Sequence, residues 1–481
     1  MSPLEKLEKI SNLSLSGLLS ESQQAVDNLT SLAMDRRVRL AVTGLNQSGK
    51  TAFITSLIHQ LLHGLGGANL PFFSVVAENR FLGAKTMLQP NMEIPAFQYD
   101  RFISTLTGEK PEFPKATNSL SEIRLAIRFQ PSNFISRQFS KTATLYLDIV
   151  DYPGEWLLDL PLLNLGFKEW SEQLFKFCSE EPRAALAAEW LSYLQGMDNN
   201  RTADEETMRQ ASQHFTRFLK ECRNQKTGLS YLQPGRFLIP GELKDAPILT
   251  FCPLQTVAET LVSGSIYEVM EKRFESYKER VVRKFYKEHF SQFDRQIVLV
   301  DMQKALNHGP GSFSDMQGAL QGILNSFSYG NSNILARLFQ PKIDKLLFVA
   351  TKADHVAANQ HPNLERLLNK MVVRPVNEAI FQGVEVKTLA ISSVVCTQTV
   401  VRDHHGRRLS FVKGTPKGRS DEVMLFPGEI PESVPSASDW AENRFNFLDF
   451  QPQAIAGGSG GQVPHLRMDQ AIEFLLGDKL V

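Results

Sequence analysis

The chain has 481 residues, of which 42% are hydrophobic and 22% charged, so it can bury a sizeable core and has room for two to four domains or one domain with large insertions. Lys plus Arg and Asp plus Glu both number 52, a balance that argues against nucleic acid, a membrane surface or an acidic substrate as a partner recognised by bulk charge. The four cysteines are scattered without metal-ligand spacing, which argues against a structural zinc or a disulfide framework and fits a cytoplasmic protein.

Residues 1–35 read as an N-terminal helical segment. Its first ten residues are amphipathic and mixed in charge, with no signal-peptide core. No apolar run anywhere reaches the roughly 18 residues a membrane span needs. Val38–Thr43 reads as a buried strand. It runs into Gly44-Leu45-Asn46-Gln47-Ser48-Gly49-Lys50-Thr51, which fits the phosphate-binding pattern G-x-x-x-x-G-K-[ST]. Ala52–Leu62 then reads as a helix, with Phe53, Ile54, Leu57, Ile58 and Leu61 on one stripe. A strand, a glycine-containing loop and a helix N-terminus together make an anion site from backbone N–H groups and the helix dipole. Asn46, Gln47, Ser48, Gly49, Lys50, Thr51 and Ala52 are therefore the candidate phosphate cradle. Lys50 would neutralise phosphate charge, and the Thr51 hydroxyl would ligate Mg²⁺.

Residues 63–120 read as a Pro- and Phe-rich loop inserted where a first switch belongs, with Thr117 as the candidate switch threonine. Ser121–Phe129 alternates and is expected to pair antiparallel with Ala143–Val150 at the sheet edge. The latter strand ends at Asp151, which begins Asp151-Tyr152-Pro153-Gly154, a D-x-x-G element. Its acid would hold Mg²⁺ through water, and its glycine would let a backbone N–H reach the γ-phosphate. Asp148, facing the other side of the strand, reads as a partnered structural acid. Glu155 follows directly and is the candidate for orienting the attacking water, although its charge would repel the γ-phosphate.

Residues 156–294 read as a mainly helical insertion, with helices over Ala184–Leu194, Thr207–Asn224 and Ile266–Phe290. The last carries an apolar stripe of Met270, Phe274, Tyr277, Val281 and Phe285. Its interleaved acids and bases read as a solvated face. Arg295–Asp301 and Leu346–Ala350 are buried strands. The second leads into Thr351-Lys352-Ala353-Asp354, a T-K-x-D element. The Asp354 carboxylate can accept from guanine N1–H and the 2-amino group, whereas adenine offers no such donors. Val384–Ile391 is a last strand, and Ser393 lies on a small-residue loop suited to backbone contact with the base. A hairpin over Thr399–Val412 turns near His404-His405-Gly406 and reads as exposed. Gln451–Gln462 reads as a flexible linker, and Met468–Leu476 as a short amphipathic helix.

The order of these elements predicts an α/β Ras-like P-loop NTPase domain. Its sheet would be doubly wound and mostly parallel, six-stranded, with one antiparallel edge strand, and the domain would carry a large helical insertion. The expected organisation is a first part of the domain at 36–155, the insertion at 156–294, the second part at 295–398, and a C-terminal hairpin, linker and helix at 399–481. A minimal domain of this kind needs only about 150 residues, so both intervals between motifs hold inserted chain.

Three phrases, Val42–Ala52, Asp148–Trp156 and Ala350–His355, resemble the YcjX-like family of bacterial P-loop GTPases over nearly the whole chain. The resemblance implies a GTP- and GDP-binding cytoplasmic protein tied to stress, often found with a small inner-membrane partner. A slow Mg²⁺-dependent GTPase switch is the leading expectation. A nucleotide-stabilised scaffold that hardly hydrolyses and an ATP-using P-loop enzyme are the alternatives.

Overall fold

The computed structural model describes residues 36–481 apart from 46, 66–68, 116, 118, 133–140, 225–226, 256–261, 326–342, 382, 405–406 and 443. The expected N-terminal helical segment and the His405-Gly406 turn lie outside the described residues. Seven strands form the main sheet: β1 (Arg36–Gly44), β2 (Phe81–Met87), β3 (Ser121–Phe129), β4 (Ala143–Asp151), β5 (Arg295–Val300), β6 (Lys345–Ala350) and β7 (Glu385–Ala390). Their order is β2-β3-β4-β1-β5-β6-β7. The pairs β4–β1, β1–β5, β5–β6 and β6–β7 are parallel, while β3 runs antiparallel to both β4 and β2.

The strand Ser121–Phe129 thus pairs as its alternation foretold, but it is not the edge. Residues 63–120 supply a seventh strand, β2, and a helix, Tyr99–Thr107, where the sequence reads as loop. Gly83, at φ +128°, sits at a register shift between Phe81 and its neighbours on β3. Glycine and lysine break the alternation of this strand, so only pairing with β3 reveals it.

The four central strands are apolar on both faces, which parallel strands need when helices cover both sides. Val38, Leu40, Val42, Leu145, Leu147, Ile149, Ile297, Leu299, Leu347 and Val349 face one core. The P-loop helix (Lys50–Leu62) and the C-terminal helix (Met468–Leu476) cover it, so the latter docks on its own sheet. Ala41, Val150, Val298, Val300, Leu346, Phe348 and Ala350 face the other core. Helices Pro310–Asn325 and His361–Phe381 cover that face, and the side chains of residues 156–294 merge with the same core.

The inserted stretch folds into helices Phe167–Phe177, Arg183–Gln195, Glu205–Arg223 and Ile266–Tyr277, the last continuing through one π turn to Glu288. Asp204 caps the third by accepting from Thr207 N–H. Trp170 stacks on Phe274 at 4.8 Å and packs edge-on against Phe215 and Phe251, so aromatic side chains fill its centre. The Met270, Phe274, Tyr277, Val281 and Phe285 stripe is buried there. Its outer charges pair along the helix, as in Lys278–Glu275 and Arg283–Glu279.

A second, three-stranded sheet holds β8 (Thr397–His404), β9 (Arg407–Gly414) and β10 (Val423–Leu425). The stretch Gln451–Gln462 is anchored rather than a free linker. The Gly461 carbonyl meets His59 Nε2 at 2.7 Å, and Gln453 Nε2 donates to the Cys396 carbonyl at 3.1 Å. Just beyond it, Gln60 Nε2 donates to the Val463 carbonyl at 2.7 Å. His59 and Gln60 are buried polar residues of the P-loop helix, and these carbonyls pair with His59 Nε2 and the Gln60 side-chain amide nitrogen.

Candidate functional site

The carboxyl ends of β1, β4, β5, β6 and β7 gather at one rim of the sheet, and the motif residues follow from them. The turn after β1 is tight. Leu45 N–H donates to the Leu299 carbonyl, and Ser48 N–H donates back to Leu45. Gln47 and Gly49 are left-handed, at φ 61° and 82°, which turns successive N–H groups toward one concave side. A Cβ at Gly49 would meet nothing within 4 Å, so the loop is open there. Gly49 also starts the P-loop helix without a side-chain cap, and no acid lies in the first turn. The helix dipole and its leading N–H groups are therefore available to an anion. The Ser48 hydroxyl is buried and has no hydrogen-bond partner among the described residues. Thr51 and Ala52 are buried behind the loop. Asn46 lies outside the described residues.

The Lys50 ammonium pairs with Asp151 Oδ1 and lies 3.4 Å from Thr117 Oγ1. Thr117 Oγ1 donates to Asp151 Oδ2 at 2.6 Å. Register explains the meeting: β3 is antiparallel to β4 and Ser121 faces Asp151, so the segment entering β3 arrives at the P-loop end of β4. Burial pulls Lys50 down to about 7, opposed by the charge of Glu155. Asp148 points elsewhere and is held by Arg37 at 2.7 Å and Arg124 at 2.6 Å, a partnered acid.

Gly154 presses on the phosphate loop itself. A Cβ there would run into the Gly44 carbonyl and approach Thr43 Oγ1 at 3.0 Å. Gly154→Ala is expected to lower thermal stability and abolish nucleotide binding, and a variant titrating like the wild type would reject this packing argument.

Glu155, Trp156 and Asp159 are buried and meet Arg223, Gly235, Arg236 and Ile239. Arg223 Nη2 sits 2.7 Å from Glu155 Oε1, Trp156 Nε1 donates to the Ile239 carbonyl, and the Arg236 guanidinium lies 3.4 Å over the Trp156 ring. Gly235 N–H and Tyr277 Oη both donate to Asp159. Burial lifts the Asp159 carboxyl to about 7 despite these donors. A carboxyl raised above its unfolded value of 3.8 favours folding fully below that value, and the contribution is lost as pH rises through about 7. Asp159→Asn is accordingly expected to change Tm more favourably at pH 8.5 than at pH 5. A Tm difference that does not change with pH would contradict it.

At the other end of the rim, Thr351 N–H donates to the Val300 carbonyl, which pins the T-K-x-D element to β5. Lys352 is left-handed at φ 57°, and its ammonium bridges Asp301 at 2.7 Å and Asp449 at 2.6 Å. Asp354 accepts from Ser392 Oγ at 2.6 Å and from Cys396 N–H at 2.7 Å, so its carboxylate is fixed in the loop after β7. Ser393 contributes its carbonyl, which accepts from Ser56 Oγ at 2.6 Å. Asp354, His355 and Cys396 lie close enough to share a cation. Burial raises the Cys396 thiol well above its usual range, however, which disfavours the thiolate a metal would need.

The sequence profile of the YcjX-like family, DUF463, matches residues 38–480. The chain belongs to this family. It is similar to the Ras-like GTPase YcjX of Escherichia coli K12, at 42% identity over 94% of this chain and 98% of that protein. It is also similar to the Ras-like GTPase YcjX of Shewanella oneidensis MR-1, at 39% identity over 96% of this chain and 98% of that protein.

In this YcjX-like chain, Lys50, Thr117 and Asp151 form one cluster at the P-loop and Lys352 and Asp354 form another at the end of β6. Three side chains without a motif join them. Arg223 reaches Glu155 from the insertion, Lys304 Nζ donates to Gln47 Oε1 at 3.0 Å, and Ser392 rather than Ser393 holds Asp354. Asp301 could have been found beforehand, as an acid directly after a buried strand. Arg223 and Lys304 stand on helices with nothing in their neighbourhood to mark them.

Proposed function

We propose that this protein binds GTP and GDP with Mg²⁺, hydrolyses GTP slowly and acts as a nucleotide-controlled switch. The observation that carries the reading is the placement of a P-loop, a D-x-x-G turn packed on it and a fixed T-K-x-D carboxylate along one rim of a Ras-like sheet. The similar proteins named Ras-like GTPase support it.

In this reading the P-loop N–H groups from residue 46 to Ala52 cradle the phosphates, and Lys50 leaves Asp151 to meet the β- and γ-oxygens. Asp354 accepts from the guanine edge, the Lys352 stem lies along the base, and the Ser393 backbone borders it. The hydroxyls of Thr51 and Thr117 and the Asp151 carboxylate form a hard oxygen set that suits Mg²⁺. When bound, Mg²⁺ supplies charge neutralisation between the β- and γ-phosphates. Gly154 reports the γ-phosphate to residues 155–160, and through them to the insertion, which we read as the module that receives the signal.

Cytoplasmic location, a stress role and a small inner-membrane partner come from the family resemblance and form part of the proposal. Among the described residues, no helix is long and apolar enough to cross a membrane.

A nucleotide-stabilised scaffold is the second reading, favoured by a carboxylate at Glu155, paired with Arg223, in the place where a water-orienting amide is expected. Calorimetric titration of stripped protein with GDP, GTPγS and ATP tests the site, and phosphate release from GTP separates switch from scaffold. ATP binding in preference to guanine nucleotides would overturn both.

A further inference from the structure

We propose that Arg223, the last residue of insertion helix Glu205–Arg223, is a catalytic arginine supplied from within the chain to the phosphoryl group in flight. The inference rests on the GTPase reading above. Glu155 follows Gly154, which abuts the Gly44 carbonyl, so the Glu155 carboxylate is anchored beside the phosphate loop. Arg223 Nη2 meets that carboxylate at 2.7 Å, and the Arg223 side chain keeps 29% exposure.

The neighbourhood is that of the phosphates. Glu155 acts electrostatically on Lys50, and Arg223 acts on Lys304, whose ammonium donates to Gln47 of the P-loop. Lys50, Lys304 and Arg223 therefore converge on the loop from the P-loop helix, the helix after β5 and the insertion.

Arg80 and Arg236 are held by contacts away from the phosphate loop. Arg80 donates to the Gln130 and Leu480 carbonyls, and Arg236 lies over Trp156. A γ-phosphate carries more negative charge than the single carboxylate of Glu155, and a guanidinium matches its oxygens in a bidentate fork. Arg223 exchanges the carboxylate for those oxygens as charge builds. A water oxygen bonds to Pγ while the bond from Pγ to the bridging oxygen breaks. GDP leaves with that oxygen and its electron pair, and the water protons pass to phosphate and solvent. Glu155 is then the positioning residue that holds the guanidinium within reach.

The test is single-turnover hydrolysis of GTP by the full chain, wild type against Arg223→Ala, with Arg217→Ala on the outer face of the same helix as control. Arg223→Ala is expected to slow hydrolysis about 100-fold or more, while its Kd values for GDP and GTPγS stay within about threefold of wild type. Arg217→Ala is expected to match wild type. Wild type should bind GDP more tightly when Mg²⁺ and aluminium fluoride are added, and Arg223→Ala should lose that gain. A merely structural arginine would not produce this signature. Hydrolysis slowed less than tenfold, or a retained aluminium fluoride gain, overturns the assignment and leaves the GTPase reading standing. A wild type that releases no phosphate from GTP overturns both.

Discussion

Lys50→Ala is expected to weaken GDP and GTP binding by roughly 100- to 1,000-fold, about 3–4 kcal/mol, measured by calorimetry on stripped protein. The ammonium is largely screened from solvent at the rim and shares Asp151 with Thr117. Burial holds it near 7, so the folded chain already bears the cost of a desolvated cation. A triphosphate returns that cost because it offers several charged oxygens in place of one carboxylate. The alanine variant leaves the Asp151 carboxylate with Thr117 but without its cation, so repulsion between Asp151 and the phosphates adds to the loss of attraction. The wild type should also bind more weakly as pH rises above about 7, where the unliganded lysine loses its proton. Retention of affinity within tenfold in Lys50→Ala would show that the nucleotide lies elsewhere.

Asp354→Asn is expected to shrink the preference for GDP over ADP by about 100-fold or more, mainly through loss of GDP affinity. In the proposed reading the carboxylate accepts from the two guanine donors, and an amide would present a donor to one of them. By the same geometry the variant should gain affinity for xanthosine diphosphate, whose 2-oxo group accepts from the amide. Asp354 has a second task, because it also accepts from Ser392 Oγ and Cys396 N–H. The amide can serve only one of these partners fully, so a fall in Tm should accompany the change in selectivity. Unchanged guanine preference, read from competition titrations, would remove the base-reading role from this loop.

What the sequence discloses about the fold is what lies within one strand and its next turn. The P-loop, Asp151 and the T-K-x-D element are continuous in the chain, and each follows a strand whose apolar residues mark it as central. The meeting of Thr117 with Asp151 follows from the antiparallel pairing of the strand after it, which dictates where that strand's start must lie. Strand β2 was hidden because Gly83 and Lys85 carry no alternating pattern and its stability comes from β3. Gln451–Gln462 has the composition of a linker, yet its order depends on His59 on a helix hundreds of residues away. Arg223, Lys304 and Asp449 belong to the same class. Their positions depend on tertiary contacts, and a lone basic or acidic residue on a helix or loop gives no local sign of its eventual partner.

The turn Gly154–Leu157 is clasped on both sides, by the Gly44 carbonyl and by Gly235, where a Cβ would collide with the Glu155 carbonyl. Trp156 and Asp159 bind it further to residues 235–239 and Tyr277. No slack separates the two sides, so a shift of this turn toward a γ-phosphate displaces the contacts of the insertion as well. Thermodynamic reciprocity then fixes the converse. Any molecule that grips the insertion more strongly in one arrangement changes the affinity for GTP by the same factor that GTP changes its own. A protein bound to the outer surface of the helical bundle, far from the phosphates, would in this way set how tightly the nucleotide is held.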